Sequence, residues 1–173
     1  MPADRLLSDE RITLTILTAK PADPLNPKIA ELNAVGAINA SCLVYADDFT
    51  WTATDSERVG ERALCEPSTS ESPGVGAYDL SFTAWRYFDT ATLAVDVTAD
   101  KLFQAVKVKG TRIYPYVRRG GKKYDAIWAV GDEFQLGGEV LTDTPQSPDN
   151  GGFIKYKIPL LAQRMKDFGT ISA

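Results

Sequence analysis

Histidine is absent from the 173 residues. Its absence removes every serine or cysteine triad built on imidazole, and it removes the commonest transition-metal ligand. Cysteine is scarce. Cys42 and Cys65 are too few for a disulfide framework in a domain this large, and no partner pair stands at zinc-site spacing, so buried thiols in the core are expected. There is no apolar run near the roughly 20 residues that a membrane helix needs, and the opening Met-Pro-Ala-Asp-Arg lacks the apolar centre of a signal peptide. The expectation is assembly in the cytoplasm without membrane contact. Nor is there an excess of positive charge. A net charge of −4 argues against a protein whose main task is gripping phosphates, which needs clustered Lys and Arg.

What is present suits an ordinary folded domain. Hydrophobic residues make up 44% and charged residues 24%, and a single chain of this length buries roughly 70% of its unfolded surface. One domain over residues 1–173 is expected. The organising stretch runs from Trp128 to Gln163. Phe134, Leu136, Val140 and Thr142 fall on one face, and Glu133, Gln135, Glu139 and Asp143 on the other; after a turn rich in Pro, Asp, Asn and Gly, Ile154, Tyr156, Ile158 and Leu160 share a face opposite Phe153, Lys155 and Lys157. A period of two means strands. The acidic face of one arm against the basic face of the other predicts an antiparallel pair, with each opposed charge contributing at most about 1 kcal/mol to register.

Alternation also predicts a first strand over Arg11 to Leu17, then short strands over Ser41 to Ala46 and Phe49 to Thr54, or one bent strand across both. Asp47-Asp48 between them is read as a turn, since no Asp-x-Asp-x-Asp-Gly loop accompanies it. Glu57 to Glu66 is a weaker strand, and Pro67 to Gly76 a long mobile loop with almost nothing to bury. Gly74-Val-Gly76 precedes a strand rather than a helix, which removes a phosphate-binding reading. Ala77 to Phe88 is a strand with aromatic residues on both faces, and Trp51, Trp85 and Trp128 are core residues before they are a stacking platform for bases. Lys28 to Ala34 fits one or two helical turns, and Asp100 to Val108 is the best helix, with Leu102, Phe103 and Val106 on one face, a cap at Thr98 or Asp100, and Gly110 to end it.

Gly120-Gly121 between Arg112–Arg118 and Lys123–Ala129 predicts a hairpin, with Pro115 placing the first arm at an edge or bulge. Gly137-Gly138 marks a bend or a close backbone approach. Met165 to Ala173 reads as a tail in need of a docking surface. Mainly β architecture follows, a β-sandwich or barrel with one flanking helix. Arg118, Arg119, Lys122 and Lys123 concentrate four positive charges in six residues at the predicted tip. That tip is a solvated turn, a contact for an acidic surface of another protein, or a contact for nucleic acid; in a chain of negative net charge the protein contact is favoured.

No catalytic constellation emerges. A hydrolase relying on Asp79, Asp96 or Glu139 alone would need a cleft that raises a carboxyl pKa. The classes left are a self-assembling subunit, which completes its burial against copies of itself, and a monomeric ligand-binding β-sandwich.

A resemblance narrows this choice. Arg62 to Glu66, Trp85 to Asp89, Phe103 to Thr111, Gly131 to Glu133, Glu139 to Gln146, Gly151 to Lys155 and Ile158-Pro159 together resemble the major tail tube protein of long, non-contractile-tailed bacteriophages, particularly those of actinobacteria. The resemblance implies a structural virion protein of the tail with neither catalysis nor cofactor: two packed sheets with a flanking helix, assembled into hexameric rings. Rings stack into a tube through which DNA passes without specific binding, and sheets of neighbouring subunits join into a continuous barrel. Partners would be the chain itself, the tape measure and the tail terminator; a terminator or head-to-tail joining protein is the related alternative. On this reading Asp79, Glu133, Gln135 and Glu139 contribute to an acidic lumen lining, and Arg118, Arg119, Lys122, Lys123, Lys155 and Lys157 to contacts between subunits. The loop from Pro67 to Gly76 and the terminal segments would order on stacking.

Overall fold

Strands dominate, and each forms where alternation or a long-range partner demands it. The structure is a computed structural model and describes residues 6–65, 67–147 and 151–173. In chain order the elements are β1 (Ile12–Leu17), α1 (Ile29–Leu32), β2 (Ile38–Asn39), β3 (Val44–Thr54), β4 (Arg58–Glu61), β5 (Ser70–Pro73), β6 (Ala77–Trp85), α2 (Lys101–Val106), β7 (Arg112–Arg119), β8 (Glu133–Thr142) and β9 (Lys155–Thr170). Seven strands form one sheet in the order β2-β1-β7-β8-β9-β6-β3, and β4 pairs with β5 in a separate two-stranded arm. Every adjacent pair is antiparallel. The large sheet curls into a half-barrel, so the mainly β expectation holds, with two short helices in place of one.

Both faces of the sheet are covered, each by its own cluster. On one face Leu14 and Ile16 of β1, Ile113 and Val117 of β7, Leu136 and Val140 of β8, Phe82 of β6 and Ile158 of β9 pack with Leu102, Phe103 and Val106 of α2. The opposite parity of β1 and β7 faces the other way. There Leu17, Tyr114 and Tyr116 pack with Leu32 of α1, Trp128, Phe134 and Ile171. Tyr116 is fully buried, its hydroxyl donates to the Pro24 carbonyl at 2.9 Å, and burial pushes its pKa up.

Two carboxylates fasten the helices. Glu31 accepts from the amides of Lys28 and Ala22 at 2.8 and 2.7 Å, tying the first turn of α1 to the Pro-rich loop before it. Asp100, with no accessible side-chain surface, sits at the N-cap of α2 and accepts from Arg86 Nε, the Tyr87 amide and Gln104 Nε2. The Arg86 guanidinium lies 4.1 Å over the Phe103 ring. A charge this deep is tolerated because it is both paired and hydrogen-bonded.

β9 does the longest-range work. Its first half pairs with β6, Lys155 against Trp85 through Leu160 against Leu80, and its second half pairs with β8 as far as Thr170 against Glu133. The predicted pairing of the two arms is therefore present, but its charge logic is not: Lys155 and Lys157 sit opposite Trp85 and Thr83, and Glu139 faces Arg164. Gln163 is an extra residue between Ala162, opposite Val140, and Arg164, opposite Glu139. That bulge lets both Ala162 and Met165 pack on the main core although they are three residues apart. It also hides the strand from a period-two reading, so the residues from Met165 onward, expected as a tail, are the end of β9 as far as Thr170, with Ile171 buried beyond it.

Other expectations need correction. Lys123–Ala129 is not a strand, because its carbonyls are taken by a side chain described below; β7 pairs with β1 and β8 instead. Pro115 is thus in an interior strand. It is accommodated because the β7–β8 ladder opens between the Ile113–Val140 and Tyr116–Gly137 pairs, where no donor is required. Gly137 and Gly138 do mark a close approach: a Cβ at Gly137 would strike the Tyr116 ring, and one at Gly138, whose φ is +148°, would strike the Arg164 carbonyl. Within the expected loop of Pro67–Gly76 lies β5, and the strand before it shortens to Arg58–Glu61. Cys42 and Cys65 are both exposed rather than buried. Of the three tryptophans, Trp51 and Trp128 are buried and Trp85 is half-exposed.

Candidate assembly surface

A curled sheet that stops short of closing leaves two edges, and here they lie close together. Ile12 and Leu14 of β1 and Val44, Ala46 and Phe49 of β3 line a mostly apolar cleft of about 120 Å³ along the seam. β2 pairs with Thr15 and Ile16 of β1, and the Leu14 amide and carbonyl are taken by Ser41 Oγ and the Ala40 amide, while β3 is an edge over its whole length. Unpaired edges are templates for another chain. Beyond the sheet, β4 and β5 continue the β3–β6 ladder outward as an arm whose strand residues are all exposed. Val59, Leu64 and Val75 of this excursion stand open to solvent, as do Leu6, Leu7, Phe153, Ile154, Leu161 and Phe168 elsewhere.

The basic tip resolves into unlike parts. Arg118 is 3% exposed and belongs to its own subunit: it donates to Asp132 at 3.0 Å, to Thr13 Oγ1 at 3.1 Å, and to the carbonyls of Lys123, Ala126 and Ile127. Its guanidinium also lies 4.8 Å over the Trp128 ring, whose Nε1 donates to Thr15 Oγ1. Lys122 pairs with Asp132 at 2.6 Å and Lys123 with Glu10 at 3.4 Å, and all three of Arg119, Lys122 and Lys123 are exposed, Arg119 without an ion pair among the described residues. Burial by itself would raise the Asp132 pKa. Hydrogen bonds from Lys122 and the Ala129 amide, with the charges of Lys122 and Arg118, outweigh it and hold the carboxyl below its ordinary value.

The remaining candidates are dispersed. Lys155 Nζ sits 5.0 Å from the Tyr45 ring and 5.7 Å from Trp85, beside the exposed Phe153. Lys157 is half-buried, with its backbone between Thr83 and Gln146. Asp79 and Glu133 are exposed, on β6 and β8, with β9 between them. Gln135 is half-buried, and its Oε1 has no hydrogen-bond partner among the described residues. Glu139 is buried and paired with Arg112 at 2.9 Å, which leaves it little free charge.

Sequence reasoning found the first strand of the arm but missed its partner β5 and the two clasps, Arg86–Asp100 and Arg118–Asp132. The arm has no apolar face to betray it. Asp47-Asp48, inserted in an otherwise alternating apolar run, was the available signal for a bulged edge strand. Among the described residues no group of three His, Cys, Asp or Glu side chains is placed to hold a metal ion, and no helix is long and apolar enough to cross a membrane. No curated protein and no solved structure is significantly similar to the chain. The family model for phage tail tube proteins, by contrast, matches residues 1–173, and with an open-edged β half-barrel on that full length the chain belongs to the phage tail tube protein family.

Proposed function

We propose that the chain is the repeating subunit of the tube in a long, non-contractile phage tail, acting by self-assembly and not by catalysis. The observation that carries this is the half-barrel left open along β3 in a chain of the tail tube family. Subunits join edge to edge into hexameric rings, and rings stack into a tube that conducts DNA without binding it specifically. The arm of β4 and β5 reaches the adjacent ring. The tube is built in the host cytoplasm and resides in the virion, with the tape measure and the tail terminator as further partners. The resemblance of the motifs to actinobacterial phages supports the non-contractile version.

Asp79 and Glu133 supply the free negative charge of the lumen, with Gln135 on the same strand as Glu133 and Glu139 contributing as half of an ion pair. Like charge repels the DNA backbone and lets it slide. Arg119, Lys122, Lys123, Lys155 and Lys157 serve contacts between subunits, and Arg118 supports that surface from beneath. Electron microscopy of the concentrated protein tests the proposal. Long tubes with a predominantly acidic lumen are expected. Isolated rings point instead to a terminator or joining protein, and single particles at every concentration contradict assembly altogether.

A further inference from the structure

The β3–β6 ladder has two unlike ends. At one, Thr54 pairs with Ala77 and the chain runs on into the arm; at the other, Val44 pairs with Ala84, and Tyr45 and Trp85 stand beside Lys155, the first residue of β9. Val44 and Ala84 pack on the main core, so Tyr45 and Trp85 point to the opposite face. There the rings touch. Tyr45 meets Trp85 edge-on at 5.3 Å, Trp85 meets Phe153 edge-on at 5.9 Å, and Lys155 Nζ lies 5.0 Å from the centre of the Tyr45 ring and 5.7 Å from that of Trp85. Phe153 is nevertheless 80% exposed, and Ile154 next to it 56%. Edge-to-face contacts hold the patch in one shape and leave its outer ring in water. Lys155 has no ion pair among the described residues, and the nearby Asp47 carboxylate accepts from the Tyr45 hydroxyl at 2.6 Å.

The arm is of complementary character. Residues 55–76 carry five carboxylates against two guanidinium groups, and one of those, Arg58, is spent on Glu71 at 3.4 Å. Val59, Leu64 and Val75 are its uncovered apolar side chains. The arm cannot reach its own subunit's patch, because it leaves from the far end of β6, whose nine residues span roughly 26 Å, and its strand residues lie against nothing. We infer that Tyr45, Trp85, Phe153 and Lys155 form the receptor for the arm of a second copy, with an arm carboxylate on Lys155 and the arm's apolar side chains against Trp85 and Phe153. The inference rests on the assembly reading above and names the surface that receives the arm. Charge selects this occupant, since an acidic arm meets an unpaired ammonium framed by aromatic rings, the composition of a binding hot spot. Topology selects it too. Each copy offers one arm and one patch at opposite ends of the same ladder, and a joint between unlike surfaces so placed repeats as an open-ended polymer where a joint between like surfaces would close as a pair.

Tryptophan emission reads the patch directly. Trp51 and Trp128 are buried, so Trp85 supplies the emission that acrylamide in water can quench. Quenching should fall at least ~5-fold when the full chain passes from free subunit to tube, because a docked arm excludes solvent from the centre of the contact. In a chain whose residues 57–74 are replaced by a short turn, Trp85 should stay quenchable at every concentration. Wild-type tubes in which Trp85 quenches as it does in the free subunit overturn the inference, and so does protection of Trp85 in the armless chain, which would give the patch a different occupant. Phe153→Asp with Lys155→Glu should melt as the wild-type subunit does, form rings and stop there; tubes of wild-type length would contradict the receptor. If the wild type stays a single subunit at every concentration, the assembly reading fails first; if it forms tubes with Trp85 open to the quencher, only the present inference fails.

Discussion

Asp132 shows how single residues hold this surface in place. Its carboxylate answers a guanidinium that is almost wholly buried, and without it Arg118 keeps three carbonyl acceptors but loses its counter-charge. Breaking a buried pair from one side leaves an uncompensated charge, so Asp132→Asn should cost about 3 kcal/mol in denaturant unfolding at pH 7. The pH dependence follows from the direction of the shift. A carboxyl whose folded pKa lies below its unfolded value of 3.8 stabilises the fold fully above that value, and the contribution disappears as pH falls through the folded pKa. The wild type should lose stability on acidification below about pH 4 more steeply than Asp132→Asn. Equal slopes would remove Asp132 from the account. Gly138 makes a separate case. Alanine there must adopt a φ of +148° and meet the Arg164 carbonyl, so Gly138→Ala should lower stability by roughly 2–4 kcal/mol, measured by thermal unfolding.

Among the elements, the arm and the long strand β9 are opposites. The arm's strand residues bury nothing in the subunit, so replacing residues 57–74 with a short turn should leave the melting temperature within a few degrees of wild type. Its loss should appear only in assembly, as rings that no longer elongate, which electron microscopy would show; tubes of normal length would remove the arm from stacking. β9, bound on both sides, is what a reader of the sequence sees half of. Lys155 to Ala162 alternate cleanly against one core face and were legible, whereas the bulge at Gln163 shifts parity and made the second half resemble a tail. Lys123–Ala129 was misread for a related reason. Local pattern suggests a strand, but the decisive acceptor contacts come from Arg118 on β7, and a guanidinium reaching across a turn leaves no local trace. The helix at Lys101–Val106 was legible because its apolar spacing and its packing point the same way, although Asp100 at its N-cap makes no capping bond and spends its carboxylate on Arg86, the Tyr87 amide and Gln104.

For the whole molecule, the mainly β class and the family were readable from patterns that local burial imposes. The geometry of the edges was not, because which strands end a sheet depends on pairings between distant residues. The unequal edges, the seam and the exposed apolar residues together describe a subunit whose burial is unfinished. Sedimentation velocity across a wide concentration range tests that claim most directly. The subunit should give way to ring-sized and then larger species as concentration rises, and a single species of 18.9 kDa at every concentration would contradict it.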